Sequence, residues 1–185
     1  MNGHKFSDKI LPGSVPYTYL NVWAIETTTG PDRLIIAPSA DHVGLMIESA
    51  TVLPEPFGIL YLLLVSRCDN STGRYQAPYP CARDEMESFL QQFREYFELD
   101  GRHHIWITSL PASATLVYDN HNVIYAYGPL EEYKRILSRR GVNEGTVRFP
   151  VPHTHNYNAE FDEQEKNVLA FWDWHRSALM EGDDQ

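Results

Sequence analysis

Apolar and polar positions along the chain change period several times, and each change marks an element. Around residues 115–128, two short runs rich in β-branched and aromatic residues flank the polar tetrad Asp119-Asn120-His121-Asn122. Asp and Asn tolerate left-handed backbone and bond to their own turn, so this stretch predicts a β-hairpin. Residues 58–67 begin with a continuous apolar run and predict a central strand covered on both faces. Residues 15–28, 34–36, 104–108 and 144–149 read as further strands.

Helical spacing appears elsewhere. In residues 84–98, Met86, Phe89, Leu90, Phe93, Tyr96 and Phe97 form one apolar stripe, with Asp84 as cap and Glu87 in the capping-box position. Residues 130–140 follow Pro129 and place acids at the start and bases at the end, as the helix dipole favours. A helix over about 40–50 is capped by Ser39, and Pro54 and Pro56 end that segment. A long last helix is expected over 159–180. Residues 68–80 read as a polar loop, and residues 150–158 as an irregular connection, because Pro150 and Pro152 oppose a central strand.

This mixed order predicts an α+β fold: a mainly antiparallel sheet of about five to six strands with about three to four helices packed on it. Residues 1–14 read as a loose leader, 15–180 as one globular domain and 181–185 as an acidic tail. The chain has 185 residues, 43% of them hydrophobic, enough for one continuous core and against disorder. The longest apolar run has eight residues (58–65), too few for a helix that crosses a bilayer, which needs about 20.

The net charge of −10 disfavours nucleic-acid and anionic-membrane partners and favours a soluble, cytoplasmic protein. With no apolar leader, Cys68 and Cys81 are expected as free thiols. From Glu160 to Asp184 there are eight acids and two bases. An acidic face carrying Glu160, Asp162, Glu163 and Glu165 is therefore a candidate surface for a basic protein partner.

Chemistry centres on histidine. In extended backbone, residues two apart point the same way, so His153 and His155 would face together. Neutral imidazole suits zinc and other transition metals. If the hairpin tip lies beside the 152–155 loop, Asp119 and His121 would complete the set, with three ligands, an open position for water and a fourth group free to act as base. Tyr75, Tyr79, Tyr125 and Tyr127 are candidates for a small-molecule pocket. Cys81, at a predicted helix start, would have a lowered pKa. Two functions follow as expectations. One is an acidic binding domain, inhibitor- or immunity-like toward a basic partner. The other is a metal-dependent hydrolase built on Asp119, His121, His153 and His155.

Overall fold

A computed structural model describes residues 4–8 and 15–183. Its strands are β1 (Phe6–Asp8), β2 (Val15–Pro16), β3 (Val22–Glu26), β4 (Arg33–Ala37), β5 (Phe57–Leu63), β6 (Gly73–Gln76), β7 (His103–Ser109), β8 (Ala114–Tyr118), β9 (Ile124–Tyr127), β10 (Asn143–Glu144), β11 (His153–His155) and β12 (His175–Ser177). Its helices are α1 (His42–Ala50), α2 (Arg83–Gln92), α3 (Arg94–Leu99), α4 (Leu130–Arg139) and α5 (Asp162–Leu169), the last preceded by a 3-10 turn, Ala159–Phe161. The α+β class holds, but the strand and helix counts were too low. Among the described residues, no helix is long and apolar enough to cross a membrane.

Nine strands form one sheet in the order β10-β3-β4-β9-β8-β7-β5-β6-β12, and β11-β1-β2 form a second. All pairs are antiparallel except β10 with β3. Side chains alternate across the large sheet. Leu34, Ile36, Ile59, Ile105, Ile107, Leu116 and Ala126 point to one face, where they share a core with Met46, Phe89, Phe97, Ile136 and Val168 of the helices. The opposite face carries Ile35 and Tyr125, covered at one end by Phe6, Tyr19, Val147 and Phe149. This smaller cluster joins the second sheet to the first.

Several expected elements were displaced. Residues 6–8, assigned to a loose leader, form β1, with Phe6 fully buried; residues 1–3 and 9–14 lie outside the described set. In the acidic tail, Asp183 is buried against Arg74 at 2.7 Å and accepts from the Met180 N–H, while 184–185 lie outside the description. The helix over 84–98 is two helices with a break at Phe93 (φ −107°). After the break, Tyr96 and Phe97 pack on His103 while Phe89 and Phe93 pack on Phe171. No side chain caps α2; the Glu55 carboxylate accepts the Arg83 N–H instead. The last helix ends at Leu169, because the chain turns and folds Trp172 and Trp174 back onto Phe89. The polar loop contains β6, paired between β5 and β12 through backbone bonds that polar side chains do not advertise.

Candidate metal centre

The hairpin folds as expected, with β8 and β9 paired from Thr115↔Tyr127 to Tyr118↔Ile124. Asn122 at its tip has φ 61°, a left-handed conformation that Asn tolerates. Asp119 organises this turn. Its Oδ1 accepts from the N–H groups of His121 (2.9 Å) and Val123 (3.1 Å), and its Oδ2 lies 3.0 Å from His121 Nδ1. Burial alone would raise the Asp119 carboxyl. The bond from His121, the imidazoles nearby and the Val123 N–H outweigh it and hold the group below its ordinary value. An ionised carboxylate only accepts, so His121 Nδ1 carries the proton.

Within the expected irregular connection at 150–158, residues 153–155 form the short strand β11, pairing with β1 through Phe6↔His155, Ser7↔Thr154 and Asp8↔His153. Pro152 falls just outside it. The pairing turns His153 and His155 to the same side, toward the hairpin tip. One ring nitrogen from each of His121, His153 and His155 lies within 4.8 Å of the others. The ring centroids are 4.6 Å (His121–His155), 5.1 Å (His121–His153) and 5.3 Å (His153–His155) apart.

The hydrogen bonds at Nδ1 show how the rings are held. His153 Nδ1 donates to the Pro150 carbonyl at 2.9 Å, and His155 Nδ1 donates to the Asn120 carbonyl at 3.1 Å. These partners are acceptors only, as is Asp119. All three rings therefore hold their proton on Nδ1 and present Nε2 with its lone pair. Burial first, and then His121 and His153, lower the His155 imidazole to about 4, so it is neutral at pH 7. Phe6 backs all three rings, at 5.5, 5.1 and 5.6 Å from His121, His153 and His155. Phe149 closes another side at 5.5 Å from His121, and the Tyr19 hydroxyl donates to the His121 carbonyl.

Ligands about 2 Å from one zinc ion at tetrahedral angles sit about 3.3 Å apart. The three nitrogens would need to close by at most about 1.5 Å, within reach of small side-chain rotations. Asp119 does not stand with them as a fourth ligand; it lies behind His121 as the acceptor of its Nδ1–H. Sequence reasoning named Asp119, His121, His153 and His155 and missed Phe6 and the two carbonyls, because β1 has only three residues and carbonyls carry no sequence signal.

The other candidate residues do not assemble as expected. Tyr125 and Tyr127 share a cavity, but Tyr75 is buried against Tyr61 and Tyr79 is exposed beside Glu85. Glu165 is not on an acidic face: it is fully buried, accepting from Arg102 (2.6 Å), Asn70 (2.8 Å) and Ser66. Asp162 pairs with Arg67 and Arg102, and Glu163 with Lys166. The acidic count hid these internal partners. Cys68 and Cys81 are free thiols, and burial pushes Cys81 up to about 11 instead of down. No protein-family model matches the chain, and comparison with curated proteins and with solved structures finds no match.

Proposed function

We propose that the protein is a metalloprotein of the catalytic type, holding one divalent transition-metal ion, zinc in the first instance, on His121, His153 and His155. One observation carries this reading. Three imidazoles from two distant chain segments converge, and each has Nδ1 held by an acceptor so that Nε2 is free to ligate. Neutral nitrogen ligands suit zinc, nickel, copper and ferrous iron. Outer carboxylate and carbonyl partners fix the tautomer and raise ligand basicity. Three protein ligands leave a position for water, whose pKa zinc lowers to about 7, making a hydroxide nucleophile near neutral pH. A hydrolytic reaction follows from that chemistry. Asp119, with its carboxylate committed to the turn and to His121, orients a ligand and is not the base.

The test is metal analysis of tag-free protein together with zinc titration of the chelator-treated chain. About one equivalent bound in the wild type, and less than about a tenth in His153→Ala/His155→Ala, is the expected result, since a specific site binds through its ligands. Stoichiometric zinc in the double variant would overturn the assignment.

A further inference from the structure

Lys5 precedes β1, and its side chain runs into the corner between the hairpin and the end of α3. It is fully buried there, which is rare for a lysine without a charged partner. Nζ donates to the Phe97 carbonyl at 3.0 Å and lies 3.7 Å from the centroid of the Tyr118 ring. Among the described residues, the lysines in ion pairs are Lys134 and Lys166, and Lys5 has none. Taking an ammonium out of water disfavours its charged form. Burial lowers Lys5 from its ordinary value to about 7, against the pull of Asp119, Asp100 and Glu98. A large share of the molecules therefore carries a neutral amine at neutral pH, and a desolvated amine with its lone pair is a nucleophile.

The same corner borders a cavity of about 200 Å³, whose inner wall includes Lys5, His42, Glu98, Leu99 and Asn122. These residues surround the groups that hold Nζ. His42 stacks on Tyr118 at 5.2 Å and 16°, and the Tyr118 hydroxyl donates to Asn122. Glu98 and Leu99 follow Phe97 in the chain. His42 is only 6% exposed, and its Nε2 has no hydrogen-bond partner. A buried polar atom left unpaired costs free energy, so in a cavity wall it marks where a polar atom of a ligand belongs. Much of the remaining wall is apolar, from Phe6, Pro16, Tyr17 and Pro38. The volume falls below the roughly 300–1,000 Å³ of drug-sized sites, so the ligand is small.

We infer that Lys5 is a carbonyl-trapping residue and that this cavity takes small, apolar aldehydes or ketones. The Nζ lone pair adds to the carbonyl carbon, and the hydroxyl of the adduct finds its partner in His42 Nε2. Both amine hydrogens then leave with that oxygen as water, and a C=N bond to Nζ remains. The three clustered histidines take no part in this step.

The experiment uses propanal as the probe. Sodium cyanoborohydride reduces each imine to a stable amine, which peptide mass spectrometry locates. The full-length protein is labelled at pH 7.0, and Lys5 is compared with Lys134 and Lys166, each paired with a glutamate. An ordinary lysine, with a pKa of about 10.4, is neutral in roughly one molecule in 2,500 at that pH. Lys5 should therefore be labelled at least about tenfold faster than either. A Lys5 released by fraying would react as an ordinary lysine, so speed at this position reports the buried site. Thr18→Trp, at the exposed rim of the cavity, should slow labelling of Lys5 at least about fivefold and leave Lys134 and Lys166 unchanged. The inference is overturned by labelling of Lys5 no faster than that of the other two. It is equally overturned by a Thr18→Trp protein, folded by circular dichroism, that is labelled at Lys5 within twofold of the wild type.

Discussion

Replacing Asp119 by Asn isolates the contribution of the group behind His121. The amide oxygen can keep both bonds that Oδ1 now accepts, from the His121 and Val123 N–H groups, so the turn keeps its shape. The other half of the amide is a donor where Oδ2 was an acceptor. It faces the Nδ1–H of His121, and two donors repel. The ring responds by moving its proton to Nε2, the nitrogen that should carry the lone pair for the ion. Loss of such an outer partner lowers metal affinity about 10- to 100-fold, or about 1.4–2.8 kcal/mol at 1.4 kcal/mol per decade. The loss to folding is one charge-assisted bond, about 1.5–3 kcal/mol at most. Zinc affinity is measured at pH 7.5 by competition with a chromophoric chelator. Circular dichroism checks the fold, and ring 15N shifts report the tautomer. An affinity within twofold of the wild type, with the Nδ1–H tautomer lost and the fold intact, would refute the reasoning. So would an unchanged tautomer.

The remaining predictions concern stability and the packing behind the histidines. Arg102→Met removes the guanidinium that holds the buried Asp100 and Glu165; stranding buried carboxylates costs about 3–5 kcal/mol, and a loss under about 1 kcal/mol in urea unfolding would contradict the network. Burial, then Lys5, lowers His42 to about 3, and burial lowers His103 well below its ordinary value. The unfolded chain therefore takes up protons near pH 6.5 that the folded chain refuses, so this contribution is fully present above pH 6.5 and falls as pH drops from 6.5 toward 3. Chemical denaturation at pH 7.5, 6.0 and 5.0 should show a falling midpoint, and a His42→Gln protein should lose part of that slope if it folds; an unchanged slope in a folded variant would count against the assignment. Phe6→Ala removes the ring packed on all three histidines and should weaken zinc binding at least about tenfold, read in the same competition assay; a folded variant with unchanged affinity would deny Phe6 any part in positioning them.

The legible parts of the chain were those in which side-chain period and burial agree. The hairpin at 115–128 and the stripe of Met86, Phe89 and Leu90 were readable because one face meets core and the other does not. The strands β6 and β12 were not, because Gly73–Gln76 and His175–Ser177 are fixed by backbone pairing and carry almost no apolar pattern. The last helix was overread because Phe171, Trp172 and Trp174 are apolar at spacings a helix would allow, whereas a chain reversal packs them, partly buried, onto Phe89. Glu165 shows the same limit for charge: composition counts it as surface acid, and only Arg102, more than sixty residues away in sequence, makes it interior. For the histidines, the strand period supplied the shared direction of His153 and His155, but their approach to His121 depends on β1, a strand of three residues with one buried aromatic.

That dependence would make any ion bound at this cluster a cross-link as well. His121 and His153 are 32 residues apart. Between them run β9, α4 and β10, and the strand that carries His153 and His155 is held chiefly by a partner of equal brevity. Tying two such points together removes about 4 kcal/mol of loop entropy from the unfolded chain by the loop-closure relation used for disulfides. An ion bound here would therefore act as a reversible staple between the N-terminal strand, the hairpin tip and the segment after α4. In a chain whose two thiols are both free, metal supply would then set how firmly the small sheet stays docked.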